Sequence, residues 1–243
     1  MSVVAGSASF NEQALKRGVA SVRHPLTRAL LVLTFSTGLV DAVSYLALGR
    51  VFTANMTGNV VLVGFGIAGA PGFSVTASLC ALGCFVGGAM AGGRIAQRVP
   101  RHRSLMLAVM TVEASLTATA AVLAATQAVI GSGWPRYTLI ALLAFGMGTR
   151  NSAVRWLGVR DMTTTVLTTT LTGFASESTL AGGRNPNAAL RATSVLCMFG
   201  GALVGALLVQ HLQPAWALGI AAALVVTTGA YFFREVPLEL GTA

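Results

Sequence analysis

Long apolar runs separated by short polar breaks dominate the chain, at roughly 26–48, 74–97, 104–127, 137–156, 190–211 and 214–233. A helix needs about 20 residues to cross a hydrocarbon core of about 30 Å, and each run meets that length. Two further segments, 51–70 and 161–178, are semi-polar and break the rhythm. The first opens on Arg50-Val51-Phe52-Thr53-Ala54-Asn55-Met56-Thr57-Gly58-Asn59, continues in a short apolar stretch and ends at the turn signal Gly69-Ala70-Pro71-Gly72. The second, Asp161 to Gly173, is dense in threonine and runs into a Gly-Gly-Arg-Asn-Pro-Asn loop at 182–187. In hydrocarbon each unpaired polar group costs several kcal/mol, so both segments must pack inside protein or line a wet cavity. The pattern predicts an all-α membrane protein: a polytopic helical bundle of six spanning helices plus two broken or re-entrant elements.

Composition sharpens this reading. Of 243 residues, 54% are hydrophobic and only 9% charged, where soluble domains carry about a quarter charged residues. The net charge of +9 would suggest nucleic acid in a soluble chain. Here the arginines lie between apolar runs, so they speak for orientation in a bilayer and no nucleic-acid partner is expected. If 51–70 and 161–178 do not cross fully, Lys16, Arg17, Arg23, Arg28, Arg94, Arg98, Arg101, Arg103, Arg150, Arg155, Arg160, Arg184, Arg191 and Arg234 fall on one side, against Arg50 and Arg136 on the other. If both cross, the basic residues divide evenly. Cytoplasmic loops favour Lys and Arg, so the first arrangement is expected, with both termini cytoplasmic in a bacterial inner membrane. Residues 1–24 have no compact apolar core and read as a polar cytoplasmic tail rather than a signal peptide. Residues 25–233 then form one transmembrane domain and 234–243 a C-terminal tail.

The halves read as copies, about 26–128 and 137–233. Asp41 and Asn151 are 110 residues apart, Thr53–Asn59 lies over Thr164–Thr170 at an offset of 111, and Cys84-Phe85-Val86-Gly87-Gly88-Ala89 lies over Cys197-Met198-Phe199-Gly200-Gly201-Ala202 at 113. Slowly growing offsets are what duplication with small insertions leaves. Three crossings per half would insert the second copy upside down, giving two inverted repeats. Paired discontinuous elements at corresponding positions of such halves point to a transporter-like binding site.

Gly38-Leu39-Val40-Asp41-Ala42-Val43-Ser44-Tyr45, followed by Phe52-Thr53-Ala54-Asn55-Met56-Thr57-Gly58-Asn59, closely resembles the signature of the bacterial YoaK-type family. So does Arg150-Asn151-Ser152-Ala153-Val154-Arg155 with the threonine tract after it, although the family pattern has a Gln-Asn pair where this chain has Arg150-Asn151. The resemblance implies an uncharacterised inner-membrane protein of six spans and supplies no substrate or reaction.

Candidate chemistry concentrates in a few side chains. Asp41 is an intramembrane carboxylate, a class that faces a cavity or a partner, and is expected to carry a coupling proton or cation; the plainer alternative is an acid hydrogen-bonded to Ser44 or Thr37. Asn55, Thr57 and Asn59 offer amides and a hydroxyl for a small polar solute or ion, or simply cap a broken helix. Asn151 with Thr164, Thr165 and Thr168 forms the corresponding set in the second half. Glu113 is a second candidate proton carrier. Arg150 and Arg155, near a span end, are expected to snorkel toward the cytoplasm, and a direct Asp41–Arg150 pair is geometrically awkward. Cys80, Cys84 and Cys197 have no His or acidic residue beside them, so no metal site and no cofactor is expected. No nucleophile elbow, phosphate loop or His-Glu-x-x-His run is present. The expected function is a secondary transporter or permease for a small polar solute or ion. The alternatives are a membrane-embedded enzyme using Asp41 and Glu113 on a lipid-linked substrate, or a non-transporting scaffold.

Overall fold

The computed structural model describes residues 25–99, 101–126, 133–156, 167–183 and 188–235. These are helical: α1 (Pro25–Ala47), α2 (Met56–Ile67), α3 (Val75–Arg98), α4 (His102–Ala125), α5 (Trp134–Trp156), α6 (Leu167–Ser176), a 3-10 turn (Thr179–Ala181), α7 (Ala188–His211) and α8 (Pro214–Glu235). The polar tail 1–24 and the residues from 236 onward lie outside the described residues. Among the described helices, α1, α3, α4, α7 and α8 are long and apolar enough to cross a membrane. The helix α5 is 23 residues long as well, but carries Arg136, Arg150 and Arg155.

Helix α1 is the hub. It is buried on most of its circumference, and Ala29, Leu30, Leu33, Leu39, Val40 and Val43 are all almost completely buried, as expected of a helix enclosed by others. It packs against α7 and α8, while α5 packs against α3 and α4; α4 also runs along α8. Interhelical association in membranes rests on close backbone approach at small residues, and the two tightest crossings show it. A Cβ built on Gly88 of α3 would overlap the Phe145 carbonyl of α5, and one on Gly148 of α5 would overlap that of Phe85. On the other side, Gly201 of α7 abuts the Phe35 carbonyl of α1, and Gly38 abuts that of Met198. Leu79, Val86 and Met90 on α3, and Leu196, Phe199 and Leu203 on α7, point outward, an apolar exterior suited to acyl chains.

The long helices alternate in direction. One core cluster gathers Leu48 at the end of α1, Ala77 and Ala81 near the start of α3, Ala120 and Ala124 of α4, Leu139 of α5 and Ala217 of α8. A second, at the opposite end, joins Leu30, Met106, Val154, Leu190 and Phe232. The described arginines divide with them. Arg50 and Arg136 stand at the first end, where the Arg136 guanidinium lies beside Gly49. Arg28, Arg98, Arg101, Arg103, Arg155, Arg191 and Arg234 stand at helix ends of the second, where Arg103 stacks on the Phe233 ring at 4.5 Å.

The first semi-polar segment is interrupted, as its sequence suggests. Helix α1 stops at a left-handed Gly49, and the Arg50 N–H returns to the Tyr45 carbonyl at 3.1 Å, a Schellman closure. Residues 51–55 are not helical and fold back along α1, with Phe52 stacked on Tyr45 at 5.0 Å. Helix α2 has 12 residues, about 18 Å at the usual rise, too short for a core of about 30 Å. It ends in its own Schellman closure, Gly69 N–H to Gly66 O and Ala70 N–H to Phe65 O. The chain then reaches Gly72 and Phe73, which lie against Arg50. The segment therefore leaves and returns at one end of the bundle. Of the second segment, residues 157–166 lie outside the described residues; α6 covers 10 residues and packs on α7.

Candidate functional site

Asp41 sits on α1 six residues before its end, about 9 Å inside at 1.5 Å per residue. Its Oδ1 accepts from the Thr53 N–H at 3.0 Å and the Ala54 N–H at 2.9 Å, with the Thr53 hydroxyl at 3.4 Å. Residues 51–55 have no helical ladder to occupy these amides, and a buried N–H must find an acceptor; Asp41 supplies it. The carboxylate is 4% exposed, and its Oδ2 has no hydrogen-bond partner among the described residues. The expected partners Ser44 and Thr37 are not bonded to the carboxylate. Ser44 donates to the Asp41 backbone carbonyl at 3.1 Å, and Thr37 donates to the Leu33 carbonyl at 2.8 Å.

Asn59 performs the second fastening. Fully buried, it accepts from the Phe52 N–H at 2.9 Å and donates to the Phe52 carbonyl at 2.6 Å. One amide side chain thus completes both backbone groups of a residue outside any regular structure. Asn55 caps α2 by accepting from the Gly58 N–H at 3.3 Å, and is exposed together with Thr57. Between the two readings offered for these residues, the observed bonds of Asn55 and Asn59 are those of caps and clamps.

Arg150 corrects the sequence reading. Expected to snorkel, it is 5% exposed and lies in the interior. Nη1 donates to Glu113 Oε1 at 2.7 Å and to the Leu33 carbonyl at 3.5 Å; Nη2 reaches the Thr37 hydroxyl and Met147 Sδ. Glu113 is 1% exposed, and its Oε2 is unpartnered among the described residues. Thr37 is one helical turn before Asp41 on the same face, and Arg150 is within electrostatic reach of the Asp41 carboxylate. A polar line therefore runs from Asp41 past Thr37 and Arg150 to Glu113, with two carboxylates and one guanidinium. An uncompensated charge in a low-dielectric interior is strongly unfavourable. With both acids ionised the line carries one negative charge too many, and two of its carboxylate oxygens have no partner among the described residues.

The partner set in the second half is only partly described. Thr164 and Thr165 lie outside the described residues. Thr168 is exposed, and the Asn151 amide donates to the Met147 carbonyl of its own helix at 3.0 Å. Among the described residues no hydrogen bond joins segment 51–59 to Asn151 or α6. Sequence reasoning named Thr37 only as a partner for Asp41, and missed its bond to Arg150, the Thr53 and Ala54 amides, and the Glu113–Arg150 pair. Counting rise from the shared helix end would have signalled the last. Glu113 lies about 17 Å in along α4 and Arg150 about 9 Å in along α5, a gap a long arginine side chain spans. The three cysteines are free, and among the described residues no group of three His, Cys, Asp or Glu could hold a metal ion.

Residues 29–231 match the family model described as Protein of unknown function (DUF1275). The chain belongs to this family. Over 150 residues, 61% of this chain, it is 33% identical to the UPF0700 transmembrane protein YoaK of Bacillus subtilis (strain 168). The match spans 65% of that relative's length. No solved structure matches. Together with the apolar helices, the transmembrane relative establishes this DUF1275 member as a membrane protein of an uncharacterised, YoaK-type family.

Proposed function

We propose that this protein is a secondary transporter or permease for a small polar solute or ion. In this reading six helices cross the bacterial inner membrane as two inverted repeats with both termini cytoplasmic, and Asp41 or Glu113 carries the coupling charge. The observation that carries the reading is the buried line Asp41–Thr37–Arg150–Glu113, which ends on an interrupted segment and has two carboxylate oxygens without a partner among the described residues. A scaffold gains nothing from an excess buried charge, whereas a carrier needs a site whose charge changes during its cycle.

Two features support the repeat. Exchanging α1–α4 for α5–α8 turns each major packing pair into another: α3·α5 becomes α7·α1, α4·α5 becomes α8·α1, α2·α3 becomes α6·α7, and α4·α8 maps onto itself. The same exchange turns Gly88 against Phe145 into Gly201 against Phe35, and Gly148 against Phe85 into Gly38 against Met198. Orientation is supported by the arginines, which crowd the end where α3, α5 and α8 terminate. Against an enzyme with Asp41 and Glu113 as acid and base stands Arg150, which engages the Glu113 carboxylate in an ion pair at 2.7 Å.

The test is solute uptake by purified protein in liposomes across a panel of small polar solutes and ions, with Asp41→Asn as control. Uptake of one class, lost in that variant, supports the reading. Equal uptake by wild type and variant removes Asp41 from the mechanism.

A further inference from the structure

We propose that Asp41 is a proton-binding site, and that a proton on its Oδ2 loosens segment 51–55 from α1. The inference deepens the transport reading and rests on it for its purpose, naming the coupling ion, its carrier and the element it moves.

The two acids differ in what already neutralises them. Glu113 has a charged partner in contact, the Arg150 guanidinium at 2.7 Å. Among the described residues Asp41 has only neutral donors, two amides and a hydroxyl, all on Oδ1. The excess negative charge of the line therefore belongs to Asp41, and its orphan Oδ2 is the free lone pair that receives a proton. Among the described residues, the other helices packed on α1 offer no competing charge at this level. Helix α7 carries Arg191 and His211 at its two ends with Cys197 between them, and α8 carries Tyr231, Arg234 and Glu235 at its far end. Among the described residues, Arg50 and Arg136 stand at the neighbouring helix ends, and in the interior Arg150 of α5 and Glu113 of α4 are paired with each other. A metal cation needs several oxygen ligands, whereas a proton needs one lone pair. The step is a simple transfer: a proton from water forms an O–H bond on Oδ2, and the same bond releases it to water later.

The consequence for the chain follows from what Oδ1 holds. Bonds from N–H groups to an ionised carboxylate are roughly twice as strong as those to a neutral acceptor. The Thr53 and Ala54 amides are fastened by Asp41 alone, since residues 51–55 have no helical ladder. Neutral Asp41 holds them weakly, and the stretch between the Schellman turn and α2 is freed to move while Asn59 still grips Phe52. Protonation thus works a latch at the Arg50 end of the bundle.

The experiment uses the full chain in lipid vesicles and needs no solute. The chain has two aspartates, Asp41 and Asp161, so carbon-13 aspartate labelling isolates their carboxylic-acid stretch in infrared difference spectra across a pH series. Amide exchange of residues 51–55, expressed relative to intrinsic rates, is followed in parallel. With Asp161→Asn as the common background, we expect a protonated aspartate band on acidification that is absent when Asp41→Asn is added and present when Glu113→Gln is added. Protection of the Thr53 and Ala54 amides should fall by about tenfold in the same pH interval in wild type, and stay constant in Asp41→Asn. A band that survives in Asp41→Asn overturns the proton site. Unchanged protection through the wild-type transition overturns the latch. Suppression of the band by sodium chloride at fixed pH overturns the proton in favour of a metal cation. If band and latch behave as expected while no solute uptake depends on Asp41, the proposal holds and the transport reading falls.

Discussion

Asn59 shows how a single side chain can determine an irregular backbone. Its amide stands in for a neighbouring strand, meeting both the N–H and the carbonyl of Phe52. Asn59→Ala strands both groups in a partly buried site, and a loss of about 2–4 kcal/mol is expected. A lowered unfolding midpoint in detergent, well beyond that of Asn55→Ala at the exposed cap, checks this. The Glu113–Arg150 pair behaves differently, because removing one member leaves a bare charge inside. Arg150→Gln and Glu113→Gln should each cost about 3–5 kcal/mol, and the double variant should recover most of the loss. A double-mutant cycle on thermal unfolding reads the coupling. Asp41 and Glu113 are conspicuous in the sequence because acids are scarce there. Their partners are not, since a backbone amide carries no letter of its own and Arg150 looks from spacing like a span-end residue.

Among the elements, the first interrupted segment was legible by composition: Asn, Thr and Gly between apolar runs mark where a helix cannot continue without partners. The start of α2 falls at Met56, just after the capping Asn55. What composition does not reveal is that 51–55 folds back along α1, because that path is set by Asp41 and Tyr45 across a chain reversal. The tight crossings depend on absent side chains. Gly88→Ala and Gly201→Ala force Cβ atoms into the Phe145 and Phe35 carbonyls, and each should cost at least the 1–3 kcal/mol typical of overpacking. Gly83→Ala, with open space around it, should be neutral, and thermal unfolding of the three variants compares them. At the far end, Arg191 grips Glu177 through two bonds of 2.8 and 3.2 Å and lies over Gly173, tying the exit of α6 to α7. The Arg191 guanidinium holds the Glu177 carboxyl below its ordinary value of 4.5. A depressed folded-state value means the bond stabilises fully above the ordinary glutamate range and is lost as pH falls through the lower folded value. Amide exchange in 167–183 should therefore quicken in acid, and high salt should blunt the effect because the Glu177 side chain is 47% exposed.

On the scale of the whole molecule, hydropathy spoke for a helical membrane protein, and the arginines spoke for a direction within it. The pairing of helices was hidden, since one lipid-soluble helix resembles another and only glycine spacing hints at who meets whom. That pairing bears on how the protein is made. The most enclosed helix, α1, finds its close neighbour in α7, whose first residue is Ala188. At a ribosomal pace of about 5–20 residues per second, α1 waits roughly ten to thirty seconds for that neighbour to be translated. In the first part of that interval, before α5 brings Arg150, Asp41 must be sheltered by the 51–55 amides and the insertion machinery. A nascent chain stalled before α7 should accordingly be the form most readily captured by membrane quality-control proteases.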